Sequence, residues 1–434
     1  MRPNVVLSLT TIMFLSLSSA HAMKFQTLGY KALGMGGASV SNSASSLSAY
    51  NNPALLGANR NSAEISASVG LGIVDYGVLK EVQKLDENGY AEALDKAAND
   101  TANLTDSDKE ILISGTESII NLDGEGVAID PQAYIGMQLS HLGFGIFEST
   151  DANFLATVDQ EHNQLYFKND TTGTIIYKDL EGNDVTKKEY EDHSIEYALN
   201  NDLTYLNQKA IALVELPIAY GHRFNTKIGK VMVGGAFKYM QALTINEHFK
   251  IADTKEENGN ESEADTYQEK QSENYGIDLG LAYIPRFAKK LTIGLVAKNL
   301  NSPSFDFEDG SKYTIEPMVR LGLSYQLFND LEFAADVDLT SNKFIYEGVE
   351  NQMVGGGVSY EPFSSFFQLA LRAGAMKNLY KNDKVGLIYT AGIGAGFKWF
   401  SLDLSAQASG ENSEVQGTPI PQQSKVNLAL ISRW

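Results

Sequence analysis

The chain has 434 residues, a formal net charge of −20 and no cysteine. The excess of acidic residues disfavours binding to nucleic acid, whose phosphates attract Lys and Arg. The absence of cysteine excludes disulfides, thiol redox chemistry and thiolate zinc sites. The 38 Gly, 21 Tyr and 20 Phe residues are typical of a β-rich protein with many turns and an aromatic surface. Length alone allows about two or three soluble domains, but no Pro-rich run or Gly/Ser spacer marks a linker.

Residues 1–22 have the features of a secretory signal peptide. Arg2 gives the positive start, residues 5–17 are apolar, and residues 20–22 form a small-x-small cleavage site. We therefore predict that the mature chain starts at Met23. The alternative is a membrane anchor, but the apolar run is too short to span a bilayer. No later stretch has the roughly 18 uncharged apolar residues of a transmembrane helix.

Residues 23–61 come next and resemble neither a helix nor a strand. They are rich in Gly, Ser and Ala, and no amphipathic period runs through residues 33–38 or 50–56. We predict that this segment is a compact N-terminal plug, or hatch, inside the structure that follows.

Alternation of apolar with small, polar or charged residues dominates residues 62–434. Along residues 331–339 every second residue is apolar, and the residues between them are Glu332, Ala334, Asp336 and Asp338. The same pattern predicts fourteen strands, at residues 62–74, 127–140, 143–158, 208–223, 230–250, 274–284, 290–300, 314–327, 331–342, 352–361, 366–377, 386–399, 401–410 and 424–434.

The predicted connections alternate between short turns and long loops. This segregation is typical of a transmembrane β-barrel, in which turns lie on the periplasmic side and loops on the outer side. We therefore predict an all-β fold, a fourteen-stranded antiparallel barrel in the outer membrane of a Gram-negative bacterium. The even number of strands places both termini in the periplasm. A β-sandwich need not segregate its connections, and a propeller would show a blade-length repeat, which is absent.

Aromatic residues fall near the short turns, as they do in the girdle at a bilayer interface. They are Tyr220, Phe224, Tyr283, Phe287, Tyr325, Phe328, Phe363, Phe366, Trp399 and Phe400. The alternative is ordinary aromatics at strand ends. The last strand resembles the C-terminal signal that the outer-membrane assembly machinery reads. Its residues are Val426, Leu428, Leu430 and Trp434, although the usual last residue is Phe and position 432 is usually aromatic.

Residues 78–120 have helical spacing and predict two short helices forming a lid on the outer side. Ser107 and Glu110 match a capping box for the second helix. The apolar faces of these helices would pack on the barrel rim or form part of a point of access for a hydrophobic molecule. The acidic loop at residues 251–273 predicts a solvated segment, and nothing in it fixes a calcium geometry.

No motif for catalysis, for a cofactor or for a metal is present, and we predict no catalytic residue. Charged side chains nevertheless occur on the predicted inward faces of the strands. They are Asp278, Arg320, Glu332, Asp336, Asp338 and Arg372. If the turn centres on Asn329, Arg320 lies opposite Asp338, and we predict a structural ion pair between them.

Residues 34–38 and 49–54 resemble the hatch of the FadL-type fatty acid transporter superfamily, which pairs a G-x-G-G-A segment with an Asn-Pro-Ala motif. The resemblance implies a fourteen-stranded outer-membrane barrel plugged by its N-terminus. Within the superfamily, the chain looks like the conjugal transfer TraF-like group. The alternative is a Gly-rich turn with a chance Asn-Pro. The resemblance assigns the shaping of the hatch to Gly34, Met35, Gly36, Gly37, Asn52, Pro53 and Ala54.

Two functions follow as hypotheses. The first is passive uptake of a hydrophobic small molecule through a hatch that rearranges. The second is a plugged barrel that acts as a surface or assembly component in conjugation, secretion or adhesion. The expected partners are outer-membrane lipid, the assembly machinery and a hydrophobic small molecule, without nucleic acid.

Overall fold

The structure, a computed structural model, describes residues 27–42, 45–58, 63–171, 174–250, 269–343, 350–362, 366–380, 385–415 and 417–434. Fourteen antiparallel strands close into one barrel. We number them β1 Ala63–Asp75, β2 Gly126–Leu139, β3 Leu142–Thr157, β4 Tyr205–Asn225, β5 Gly229–Lys250, β6 Glu269–Pro285, β7 Leu291–Lys298, β8 Met318–Gln326, β9 Leu331–Asp338, β10 Met353–Tyr360, β11 Phe367–Asn378, β12 Leu387–Phe397, β13 Phe400–Ser409 and β14 Gln423–Arg433. The predicted signal peptide, Phe363 and most of the acidic loop lie outside the described residues.

The prediction of a closed fourteen-stranded antiparallel barrel is confirmed. Each strand pairs with its neighbours in sequence, and β1 pairs with β14 to close the wall, with Val69 opposite Leu428. Closure leaves no strand edge with unpaired backbone groups. Among the described residues, no helix is long and apolar enough to cross a membrane.

Several strand boundaries differ from the prediction by a few residues, and two of these differences have identifiable reasons. Strand β6 starts at Glu269, five residues earlier, because both of its faces are polar there and alternation of hydrophobicity does not show. Strand β8 starts at Met318 instead of residue 314, because Lys312–Thr314 pairs with Ser304–Asp306 in a separate hairpin.

The outer surface of the barrel is apolar, as lipid contact requires. Outward side chains in mid-strand, such as Val69 and Ile218, are 61% exposed. Exposed aromatic residues lie at the end of the barrel with the short turns, including Phe287, Phe328 and Trp399. We call this the short-turn end, and the opposite end the long-loop end. Strand β1 begins and β14 ends at the short-turn end, where the Ala63 N–H donates to the Trp434 carbonyl.

Helices form a cap at the long-loop end. The β1–β2 connection contains α3 Val78–Glu87, α4 Tyr90–Asn99 and α5 Asp106–Asn121, so the predicted two helices are three. The first predicted helix is split because Gly89 adopts φ 68°, a left-handed conformation that ends α3 and starts α4. The β3–β4 connection adds a hairpin of Phe167–Thr171 with Thr174–Lys178, then α6 Lys187–His193 and α7 Ile195–Asn200. All of these pieces except α6 contribute to one apolar core, which includes Tyr90, Leu112, Phe167 and Ile195.

The capping box of α5 differs from the predicted one. Thr105 is the N-cap residue, and its hydroxyl accepts a hydrogen bond from the Asp108 N–H at 3.2 Å. The Asp108 carboxylate in turn accepts from the Thr105 N–H at 3.0 Å. The prediction of Ser107 with Glu110 was wrong because the helix begins one residue before Ser107, at Asp106, which places Ser107 inside the first turn.

Thr105→Ala should therefore destabilise the cap by about 1 kcal/mol, the usual loss when a Ser or Thr N-cap becomes Ala. Ser107→Ala is the matched control. It should change stability by only a few tenths of a kcal/mol, because Ser107 is exposed and is not the N-cap residue. Hydrogen exchange across α5 measures both effects. Equal protection in the two variants would contradict the observed cap.

His162 holds two parts of the cap together. Its Nδ1 lies 3.0 Å from Asp159 Oδ1, and its Nε2 lies 2.9 Å from the Glu191 carbonyl oxygen. Burial lowers the pKa of His162, but hydrogen bonds to Asp159 and to the Glu191 carbonyl raise it more, so the pKa lies above its ordinary value. Both neighbours are acceptors, so the ring fits between them best as a cation with two N–H donors.

We expect the cap to lose stability as pH rises through the raised pKa of His162, because this contribution is complete only below the unfolded pKa of about 6.5. The pKa of Asp159 moves the other way. Burial raises it, but bonds from His162 and from the Glu161 N–H lower it more, so its contribution is lost as pH falls through the lowered pKa. Hydrogen-exchange protection of residues 159–204 should peak between pH about 4 and 6.5. His162→Gln should remove the alkaline loss, and an unchanged alkaline loss in that variant would refute the assignment.

Candidate functional site

The N-terminal segment lies inside the barrel, and we call residues 27–58 the plug. It contains α1 Tyr30–Gly34, α2 Ser48–Asn51 and a 3-10 helix at Pro53–Ala58. Helix α1 contacts β11 to β14, and the 3-10 helix contacts β4, β5 and β6. Since β5 and β12 are seven strands apart in a ring of fourteen, the plug crosses the lumen from one wall to the opposite wall.

Inward-facing glycines form a socket for the 3-10 helix. A Cβ added to Gly234 would overlap the carbonyl group of Pro53, and one added to Gly280 would overlap the Asn52 side-chain oxygen. The plug backbone therefore rests directly on the wall backbone. The next plug residue, Ala54, packs with Met232 in an apolar contact beside this socket.

A second socket receives the glycine-rich part of the plug. Gly36 has φ 62° and Gly37 has φ 82°, so both adopt a backbone conformation that favours glycine. A Cβ on Gly36 would overlap the carbonyl oxygens of Gly356 and Ala375 on β10 and β11. Met35 beside it is fully buried against Ala334, and Gly34 lies against Arg372.

Polar side chains fasten the plug at fixed points. Asp336 of β9 accepts hydrogen bonds from the backbone N–H groups of Ser39, at 2.7 Å, and Val40, at 3.0 Å. Asn52 donates from Nδ2 to the Val40 carbonyl at 2.8 Å and accepts from the Ala54 N–H at 3.1 Å. The Asn-Pro-Ala motif therefore joins the two halves of the plug to each other.

Four of the six sequence-predicted charges form three groups in the lumen, apart from Asp336, which holds the plug, and Asp278. Arg320 lies opposite Asp338, with Nε 2.6 Å from Oδ1, as the predicted register requires. Glu332 pairs with Lys31 of the plug at 2.7 Å. Arg372 reaches Asp403 at 2.7 Å and Glu361 at 3.0 Å.

Asp278 belongs to an ionic cluster that sequence reasoning missed. Lys238 of β5 places its Nζ 2.6 Å from Glu215 and 3.2 Å from Asp278, and all three side chains are almost fully buried. Glu215 and Lys238 lie at inward positions, and the other inward residues along 211–221 and 232–242 are apolar or small. This alternation was the available signal. Among the described residues, no group of three or more acidic or histidine side chains could hold a metal ion.

A cavity of about 750 Å³ lies at the short-turn end, between the plug and strands β8 to β14. Its walls carry charges of both signs, including Lys31, Arg433, Glu64 and Asp403. Arg433 pairs with Glu64 at 2.9 Å. A cavity lined in this way suits water or a polar solute better than an apolar molecule.

The apolar surface of the lumen lies nearer the long-loop end, above the ionic cluster. It joins inward residues of the wall to the hairpin of Ser304–Asp306 and Lys312–Thr314 and to Val40 of the plug. The members are Val40, Ile211, Leu213, Met240, Ala242, Val296, Phe305, Phe307, Tyr313, Ile315 and Met318.

The C-terminal strand places the predicted assembly residues on the outer surface. Val426, Leu428 and Leu430 are 52%, 44% and 46% exposed, and Trp434 is 58% exposed. They lie along one outward face of β14, ending at the short-turn end. Their recognition by the assembly machinery stays a prediction.

Several solved barrels resemble this chain in outline. The toluene transporter TodX of Pseudomonas putida is 12% identical, with a TM-score of 0.49 and coverage of 95% of this chain and 99% of that one. The toluene transporter TbuX of Ralstonia pickettii is 12% identical, with a TM-score of 0.44 and coverage of 95% and 99%. A FadL homologue of Pseudomonas aeruginosa is 10% identical, with a TM-score of 0.44 and coverage of 96% and 99%.

Among curated proteins, no sequence matches the chain. A family model described as F plasmid transfer operon, TraF, protein matches residues 49–338, well over half of the chain. This match confirms the TraF-like group that the N-terminal motifs predicted. The chain belongs to this TraF family.

Proposed function

We propose that the protein is an outer-membrane barrel for passive uptake of a small hydrophobic molecule. The observation that carries the proposal is the apolar surface inside the lumen, next to Val40 of the plug. This surface adjoins the plug, where a hydrophobic molecule on its way through the barrel would pass. We assign no catalytic residue and no cofactor to this lumen.

The proposal includes an orientation and a division of the chain. Residues 1–22 act as the signal peptide, residues 23–61 as the plug and residues 62–434 as the barrel. The short-turn end faces the periplasm, so both termini lie there and the helical cap faces outward. The apolar outer surface, with aromatic residues at the short-turn end, supports a place in the outer membrane.

A molecule that enters from the cap side meets the apolar surface first, then the plug, and then the polar cavity. The plug must therefore move for passage. Beside the packed contacts in the two sockets, hydrogen bonds and ion pairs tie the plug to the wall, such as Asp336 to Ser39 and Lys31 to Glu332. Such bonds exchange with water at modest net cost.

Cross-linking the plug to the wall tests this route. The hydroxyls of Ser46 in the plug and Ser66 in β1 lie 2.6 Å apart, and the chain has no native cysteine. Ser46→Cys with Ser66→Cys should form a disulfide in the oxidising periplasm. We expect cells that produce the native protein to take up radiolabelled naphthalene faster than cells without it, and the oxidised double variant to lose the gain.

Reduction of the disulfide should restore uptake, and each single cysteine variant should behave like the native protein. Uptake of a polar solute such as glycine serves as the specificity control. Uptake equal in cells with and without correctly assembled protein would overturn the proposal.

The second candidate function is a plugged barrel that presents its cap to a protein partner. The cap favours it, because helices α3, α4, α5 and α7 and the hairpin share an apolar core. The transfer-operon family favours it as well. In that case the oxidised double variant would support conjugation, secretion or adhesion as well as the native protein does. Removal of residues 78–121 would abolish that activity.

A further inference from the structure

The hairpin between β7 and β8 folds into the barrel. Its two strands, Ser304–Asp306 and Lys312–Thr314, are joined by a turn in which Gly310 has φ 82°. Phe305 and Phe307 on one strand are almost fully buried, as are Tyr313 and Ile315 on the other side. A hairpin in a solvated loop would expose these side chains, so their burial is the feature that needs an explanation.

The wall beneath the hairpin is unusually apolar for this lumen. Leu213 of β4 and Met240 of β5 face inward, one alternation step above the buried pair of Glu215 and Lys238. Elsewhere the inward positions are mainly glycine, polar or charged. The hairpin therefore shields from water the part of the wall whose exposure would be least favourable.

The hairpin is held to the wall by bonds that water can replace. The Thr244 hydroxyl donates to the Asp306 carbonyl at 2.7 Å, and Asn246 donates from Nδ2 to Asp309 at 2.7 Å. Asn274 donates to the Ser304 carbonyl at 2.9 Å. Lys270 of β6 also pairs with Glu308 at 3.1 Å, and the Lys209 Nζ lies 5.2 Å from the centre of the Phe307 ring. The other attachments are apolar contacts, which an apolar molecule could supply in the hairpin's place.

We infer that the hairpin is a displaceable occupant of an apolar binding site, and that a small aromatic or aliphatic molecule takes its place. The rings of Phe305 and Phe307 fill the volume that the molecule would fill, against Leu213 and Met240. This site adjoins Val40, so the bound molecule would rest directly on the plug. The inference rests on the proposed function for the chemical class of the ligand.

The hairpin then acts as a gate in series with the plug. Opening it without a ligand exposes four apolar side chains and an apolar wall to water, which is unfavourable. Opening it with an apolar ligand keeps the wall covered. The ligand thus shifts the equilibrium toward the open hairpin because it binds only that state.

The test ties the hairpin to β5. Because Asn246 and Asp309 already share a hydrogen bond, Asn246→Cys with Asp309→Cys can be bridged by a short bifunctional methanethiosulfonate, with no native cysteine to interfere. The purified full-length protein in lipid nanodiscs is photolabelled with the apolar diazirine 3-trifluoromethyl-3-(m-iodophenyl)diazirine. Labelling is read residue by residue at Leu213 and Met240, which face inward, and at Val214, which faces lipid.

We expect Leu213 and Met240 to be labelled in the uncross-linked double variant and in the native protein. Cross-linking should reduce that labelling by about tenfold or more, because apparent affinity scales with the population of the open state. Labelling of Val214 should not change, and this confirms that the barrel is intact. Inward labelling that is equal with and without the cross-link, or absent in both, would overturn the inference.

The single variants Asn246→Cys and Asp309→Cys, treated with the same reagent, should label like the native protein. The naphthalene uptake assay separates this inference from the proposed function. Labelling that decreases on cross-linking supports the binding site even if the protein gives no naphthalene uptake. Absence of uptake overturns the proposed transport but not the binding site. Uptake that persists unchanged in the cross-linked protein overturns the gate.

Discussion

Gly234→Val should expel the plug and leave a barrel that conducts ions. The new side chain would overlap the carbonyl group of Pro53 and the Ala54 N–H, which are backbone atoms and cannot change rotamer. Overpacking of this kind usually costs about 1–3 kcal/mol even where side chains can shift. The barrel wall is a closed hydrogen-bonded sheet, whereas the 3-10 helix of Pro53–Ala58 packs on that sheet and is not one of its paired strands. Release of the plug is therefore the least costly relief.

The neighbouring residue gives a matched control. Gly235 points outward, where the nearest atom to an added Cβ is a Leu279 methyl carbon at an ordinary 3.5 Å. Gly235→Val makes the same chemical change one residue along β5 and should leave the plug in place. Planar bilayer conductance and protease digestion of residues 27–58 measure the difference. Equal conductance and equal protection of the plug in both variants would show that the plug does not depend on this socket.

The strands could be predicted from the sequence because each buries one face in lipid, so the period of two is strict. The Arg320–Asp338 pairing could be predicted as well, because the short β8–β9 turn fixes the register between the two strands. The start of β6 could not be predicted from the sequence. Both faces of the strand are polar there, so apolar and polar residues do not alternate.

The lumen was harder to predict because its contacts cross between elements distant in sequence. Pro53 contacts Gly234, and Asp336 accepts a hydrogen bond from Ser39. The local sequence around each residue does not identify its partner. The hairpin is a mixed case. Phe305 and Phe307 alternate with acidic residues ahead of an Asp-Gly turn, which is a strong hairpin signal. The hairpin folds into the lumen because it packs on the apolar inward residues of β4 and β5. These strands come to lie beneath the hairpin only when the barrel closes.

Lys238→Met should destabilise the barrel by about 3–5 kcal/mol, the usual loss when one partner of a buried ion pair is removed. Methionine fills a similar volume, so packing changes little, but Glu215 and Asp278 lose the cation that both approach within 3.2 Å. Two carboxylates would then be left in a nearly water-free part of the lumen. Urea unfolding from lipid vesicles, followed by the heat-dependent mobility of the folded barrel, measures the loss.

Two further variants decide whether that loss comes from charge. Adding Glu215→Gln to Lys238→Met leaves Asp278 and the buried Lys298, which interact electrostatically, as the remaining pair of opposite charges. This double variant should regain most of the stability, because a neutral polar group costs far less to bury than a charge. Lys230→Met changes the same residue type at an exposed position of the same strand and should stay within about 0.5 kcal/mol of the native protein. If the double variant is no more stable than Lys238→Met, the lysine stabilises the barrel through packing. Recovery of stability in the double variant would instead mean that the ionic cluster below the apolar surface is stabilised by its charge balance.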